Sequence, residues 1–162
     1  MINRVIIKNF KGIKYADISF SQKNVIVGNN GVGKSTILEA ISLALGQNNY
    51  SFELTPYLFH RSTWNNLNKS FLPSIIIEVY LDNISGFEEF TGKNNTLRTE
   101  CLGIKFEAKF DESYIELIEA EELTQIPCEY YTISRSWFSE DVVKPFLQPF
   151  SVQVINSASS LH

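Results

Sequence analysis

The chain has 162 residues, a formal net charge of −4 at pH 7, and 44% hydrophobic against 20% charged residues. That is the make-up of one globular domain large enough for a real core. No apolar run approaches the ~20 residues of a membrane-spanning helix, and Met1-Ile2-Asn3-Arg4 does not lead into the apolar stretch of a secretory leader. Cys101 and Cys128 are far apart and fit no zinc-ligand spacing, so the expectation is a reduced, cytoplasmic protein without a membrane partner. The acidic balance argues against a stand-alone nucleic-acid binder, which carries clustered Lys and Arg.

Ile2 to Phe10 is rich in β-branched residues and predicts a strand, interrupted at Lys11-Gly12. Ala16, Ile18 and Phe20 then alternate with Tyr15, Asp17 and Ser19, the period of a half-buried strand. Val25-Ile26-Val27 is a short continuous apolar run, as in a strand covered on both faces. From Lys34 the period changes: Ile37, Leu38, Ile41, Ala44 and Leu45 share one helical stripe, which stops at Gly46 where a C-terminal cap belongs.

Residues 47–74 are Asn-rich and irregular. Ile75 to Asp82 alternates as a strand, with Ile75, Ile77, Val79 and Leu81 on one face. Residues 83–100 read as loop with one helical turn, and Leu102 to Phe110 as a further strand. Asp111-Glu112-Ser113 predicts a turn into Tyr114–Glu119, closing a β-hairpin. Tyr130 to Ile133 is one more strand. Trp137, Phe138, Val142 and Phe146 suggest a short helix, limited by Pro145 and Pro149.

Residues 28–35 read Gly-Asn-Asn-Gly-Val-Gly-Lys-Ser, a full match to the phosphate-binding pattern G-x-x-x-x-G-K-[ST]. Gly28, Gly31 and Gly33 let the backbone curl and approach phosphate closely. Successive N–H groups through Asn29, Asn30 and Val32 turn inward, and the following helix adds the positive end of its dipole. Lys34 supplies a mobile charge for the β and γ phosphates, and the Ser35 hydroxyl is placed to ligate Mg²⁺. The pattern follows an apolar run and opens a helix, which is the context the chemistry needs. ATP with Mg²⁺ is therefore the expected cofactor pair.

The strand ending Lys8-Asn9-Phe10-Lys11-Gly12, the second strand through Ile18 and Phe20, and the run from Val25 through Gly28–Ser35 to Ile41 together resemble the amino-terminal segment of the SMC/RecF class of ABC-type ATPases. Within that class the chain most resembles the OLD family, ATPases joined to a Toprim nuclease domain. The resemblance implies an α/β fold: a P-loop NTPase lobe of ABC-ATPase type, with a mixed sheet, the phosphate loop, one main helix and an antiparallel β layer. It also implies that residues 1–162 form a single partial ATPase domain. The partners would be the remainder of the ATPase, a Toprim nuclease domain, further copies of the chain and, indirectly, DNA in phage defence or repair. Residues 28–36 would wrap the phosphates, with Thr36 reaching the α phosphate, and Lys11 and Gly12 would face the nucleotide.

An ABC-type site also needs an apolar strand ending in Asp-Glu and a Ser-Gly-Gly-like signature segment, and neither is present in the sequence. The expectation is nucleotide binding with little turnover. Val79-Tyr80-Leu81-Asp82 is the nearest mimic of the first. It leaves open a self-contained small P-loop NTPase or kinase with Asp82 holding Mg²⁺, beside a non-catalytic nucleotide-sensing module. Asp111-Glu112 reads as a solvated turn, His60 as structural, and Arg135 as a loop arginine able to meet phosphate or partner. Gln125 follows the expected hairpin, where the class places a glutamine that senses the γ phosphate. No basic stripe is visible, since Lys105 and Lys109 share their strand face with Glu107.

Overall fold

The computed structural model describes residues 1–24, 33–46, 52–118, 123–144 and 149. Five strands, β1 (Ile2–Phe10), β2 (Ile13–Ser19), β3 (Ile75–Leu81), β4 (Leu102–Phe110) and β5 (Tyr131–Trp137), form one sheet in the order β2-β1-β3-β4-β5. Helix α1 (Lys34–Leu45) crosses one face of it, against β1, β3 and β4.

Alternation along the strands decides what meets the helix. Val5 and Ile7, then Ile75, Ile77, Val79 and Leu81, then Leu102, Ile104, Phe106 and Ala108 all join the helix-side core. Burying such a side chain fully contributes ~1.5–3 kcal/mol, so truncating central Ile77 to Ala should cost ~2–5 kcal/mol. Phe10 joins the same core out of strict alternation, directly after Asn9, whose φ of 56° turns the chain. The Asn9 side chain is anchored on the Ser74 carbonyl (3.1 Å).

The strand expected over 75–82 is present as Ile75–Leu81, and it is buried on both faces. Glu78 and Tyr80, on the face away from the helix, are 1% and 4% exposed. The loop 91–100 covers them, and Phe138 stacks edge-on against Tyr80 (4.8 Å). Buried acids need partners. The Glu78 carboxylate accepts from the Tyr80 hydroxyl (2.7 Å), the Thr96 amide (2.9 and 3.0 Å) and the Thr96 hydroxyl (3.0 Å).

Helix α1 has the predicted bounds, and Gly46 caps it in left-handed conformation (φ 81°), donating to the Leu43 and Ser42 carbonyls. Leu38 departs from the predicted stripe and is exposed, whereas every residue from Ala40 to Leu45 is buried.

Three expectations need correcting. Every strand pairing among the described residues is antiparallel, so the mixed sheet and separate antiparallel layer reduce there to one antiparallel sheet; the Val25–Val27 run lies outside the described residues. The hairpin partner of β4 is not 114–119. Glu112–Leu117 is a 3₁₀ turn capped by Asp111, and β5 pairs with β4 instead, Phe106 opposite Arg135. Asp111 accepts from the Ser113 amide and hydroxyl, which closes the turn locally and stops a second strand from starting. Trp137 ends β5 rather than opening a helix: its ring stacks on Phe90 (5.0 Å), and Ser136 bridges back to Val142. Phe146 lies outside the described residues. Among the described residues no helix is long and apolar enough to cross a membrane, and both cysteines are free.

Candidate functional site

The β1–β2 turn and the start of α1 meet at one end of the sheet. Gly33 stands at the helix N-cap with φ 88°, a left-handed conformation that favours glycine, and its carbonyl accepts the first helical bond from the Ile37 amide (2.9 Å). No side chain caps this end and no acid lies in its first turn. The Ser35 and Thr36 amides thus have no acceptor within the helix, and the positive end of the dipole is not neutralised by a carboxylate in that turn. Lys34 is half-buried at the same place, and the Ser35 hydroxyl is on an exposed residue. This donor set, N–H groups, one ammonium and one hydroxyl, fits a magnesium-bound polyphosphate. Gly28, Asn29, Asn30, Gly31 and Val32 lie outside the described residues.

A Cβ built on Gly33 would lie 3.6 Å from Ile13 Cγ1, so the start of β2 is in packing contact with the helix mouth. Lys11 (φ 49°) is held in the turn by its amide, which donates to the Leu58 carbonyl (2.8 Å). Its ammonium donates to both carboxylate oxygens of Glu39 on α1. Gly12 is exposed, and a Cβ placed on it would meet no atom within 4 Å, so the space beside it is open.

The other sequence candidates are placed elsewhere. Asp82 pairs with the Met1 amino terminus (3.6 Å) and accepts from the Asn3 side-chain Nδ2 (3.1 Å), at the end of the sheet where β1 begins. Eight strand steps separate that end from Phe10 and Ile13, roughly 27 Å at ~3.4 Å per residue, so Asp82 cannot share a magnesium ion with Ser35. Arg135 lies on the helix side of β5, under the C-terminus of α1; twelve helical residues put it ~18 Å from the phosphate-facing end. Its Nε and one terminal nitrogen are buried without acceptors, and burial lowers its pKa. His60 Nδ1 accepts from the Ser62 amide and caps a 3₁₀ turn, a structural role. Gln125 is exposed in the 123–127 segment, beside Tyr57 and Trp64.

Sequence reading missed Glu39, which no local pattern pairs with Lys11. It also missed the Tyr57–Trp64 ring pair (5.6 Å, 71°), whose only signal was two large aromatics in an Asn-rich irregular stretch. Among the described residues no three His, Cys, Asp or Glu side chains converge as a metal cage.

The chain is similar in sequence to known ATPases and nucleases. Over 46 residues the chain is 52% identical to the DNA double-strand break repair Rad50 ATPase of Methanopyrus kandleri and 46% identical to the OLD nuclease of Thermus scotoductus, 28% of this chain in each case. It is 27% identical over 117 residues, 68% of its length, to endonuclease GajA of Bacillus cereus. The matched segments are 5%, 9% and 19% of those relatives, so the chain spans a small part of each. Residues 1–149 match the AAA ATPase domain as a family. A match that covers nearly the whole chain places this protein in the AAA ATPase domain family.

Proposed function

We propose that the chain binds Mg-ATP and serves as the N-terminal part of an SMC/RecF-class, OLD-like ATPase that acts on DNA when complete, in phage defence or repair. The observation that carries this is the left-handed Gly33 opening an acid-free, uncapped helix N-terminus, next in sequence to the glycine-rich residues 28–32. Lys34 and the first-turn amides hold the β and γ phosphates, and Ser35 supplies one oxygen to the magnesium ion, which neutralises phosphate charge when bound. Thr36 lies one step further along the helix, toward the α phosphate. Lys11, tethered by Glu39, adds positive potential beside the helix mouth, and Gly12 leaves the approach open.

The OLD-like assignment is supported by the named relatives, two of which are nucleases. Their nuclease parts, further ATPase segments and additional copies of the chain are the proposed partners. The chain alone is expected to turn ATP over slowly, because Asp82 stands at the wrong end of the sheet to replace a catalytic acid. Calorimetric titration with Mg-ATP tests the binding. Lys34→Ala should weaken it by roughly 10- to 150-fold, the worth of a hydrogen bond to a charged group. Equal affinity in wild type and variant would sink the reading.

A further inference from the structure

Two aromatic rings stand out of the surface at the same end of the sheet as the helix mouth. Tyr57 is 77% exposed and Trp64 37%, with their rings edge to face. Single exposed aromatics are ordinary. This pair instead walls a cavity of about 280 Å³, completed by Pro56, Leu67 and Ile126, with Thr124 and Gln125 as its polar lining.

The slot is held by backbone bonds on both sides. The Phe59 amide donates to the Pro56 carbonyl (3.1 Å) and closes the turn that presents Tyr57. The Leu58 carbonyl is fixed by the Lys11 amide, and the His60 amide by the Asn9 carbonyl (3.1 Å), which ties this segment to the end of β1. Leu123 donates to the Leu67 carbonyl (3.0 Å) and brings Gln125 to the Trp64 side. The segment carrying Tyr57 is therefore hydrogen-bonded to the same turn whose next strand packs on Gly33.

We propose that the slot beside the Tyr57–Trp64 pair is a nucleobase-stacking subsite, one ring taking the base, for the nucleotide whose phosphates meet the N-terminus of α1. This rests on the phosphate-loop reading above. The volume lies just below the ~300–1,000 Å³ of sites that enclose whole ligands, so it takes one flat ring system and leaves the sugar and phosphates outside. Flat heteroaromatic rings stack on Tyr and Trp whatever their sequence. The Gln125 amide presents a donor and an acceptor together, matching an exocyclic amine beside a ring nitrogen. A phosphate cradle at the helix mouth and an aromatic slot on the adjoining segment divide a nucleotide by polarity.

The test uses the two tryptophans of the chain. Trp137 is 1% exposed, so a ligand-induced change in emission reports Trp64. Mg-ATP, magnesium tripolyphosphate, adenosine and a single-stranded oligonucleotide are each titrated. Mg-ATP is expected to quench emission, and Trp64→Phe to remove the quench. Tyr57→Ala should weaken Mg-ATP by roughly 5- to 150-fold, the worth of one stacked base, with tripolyphosphate affinity unchanged. Equal Mg-ATP affinity in wild type and Tyr57→Ala, without quenching, overturns the slot and leaves the phosphate loop standing. Loss of both Mg-ATP and tripolyphosphate binding in the wild type condemns the phosphate loop. The slot is then judged by adenosine alone, where quenching supports it and silence overturns it. Quenching by the oligonucleotide but not by Mg-ATP also overturns the assignment, because the base would then come from a nucleic-acid strand.

Discussion

The Lys11 ammonium donates to both oxygens of the Glu39 carboxylate, at 2.5 and 2.6 Å, and so clips the β1–β2 turn to the side of the phosphate-loop helix. Both residues are substantially exposed, and such pairs are worth ~0–1 kcal/mol. Lys11→Ala and Glu39→Ala should each lower stability by less than ~1 kcal/mol. Their effects on Mg-ATP should have opposite signs. Removing Lys11 takes positive charge from the helix mouth and weakens binding several-fold; removing Glu39 releases that charge and tightens it. Parallel titrations at low and high salt check this, since the difference should shrink as salt screens it.

Gly46 is needed twice over. Its φ of 81° penalises any side chain, and a Cβ there would fall 1.3 Å from an Arg135 nitrogen. Gly46→Ala should cost ~2 kcal/mol or more, of which ~1–2 kcal/mol is the left-handed backbone. Adding Arg135→Ala should return the clash but not the backbone part. Denaturant unfolding of the two single variants and the double variant separates the two.

Glu78 holds the 91–100 loop on the sheet face opposite α1, and all its hydrogen-bond partners are neutral. Glu78→Ala strands the Thr96 amide and the Tyr80 hydroxyl, at ~1–3 kcal/mol per buried unsatisfied group. Glu78→Gln, which keeps an acceptor oxygen, should cost less. Hydrogen exchange at the Thr96 amide should speed up in the order wild type, Gln, Ala.

Burial pushes the Cys128 thiol up to about 11 from an ordinary value of 9.0. The folded state thus favours the protonated thiol. The stability this contributes is fully present below pH 9 and is lost as pH rises through about 11. Burial shifts the Tyr131 hydroxyl in the same direction. Melting temperature should fall between pH 9 and 11, less steeply in Cys128→Ala. A thiolate reagent at about pH 7 should modify Cys128 slowly.

Local patterns carried much of the fold. The bounds of α1 and its glycine cap were legible because a 3.6-residue apolar period and a left-handed stop are both short-range features. β1, β3 and β4 were legible because period two is local as well. The partner of β4 was not. Asp111 to Ser113 reads like a hairpin turn, and only its side-chain hydrogen bonds, which close a 3₁₀ turn, send the chain on to β5. The alternation of 75–82 does not say what covers its second face, because nothing in that stretch announces that a loop 18 residues later seals Glu78.

For the candidate site, the residue types of 28–36 and their spacing were determined by the sequence alone, since phosphate chemistry demands glycines, a lysine and a hydroxyl within one loop and one helical turn. Which distant groups lie near the start of α1 was decided only by the tertiary structure. Sheet order carried Asp82 roughly 27 Å away along β1, strand pairing put Arg135 under the wrong end of α1, and chain crossings brought Glu39, Tyr57 and Trp64 to the correct end. The physical reason is that a strand's two ends are separated by its length, while its sequence pattern reports only which face each side chain takes.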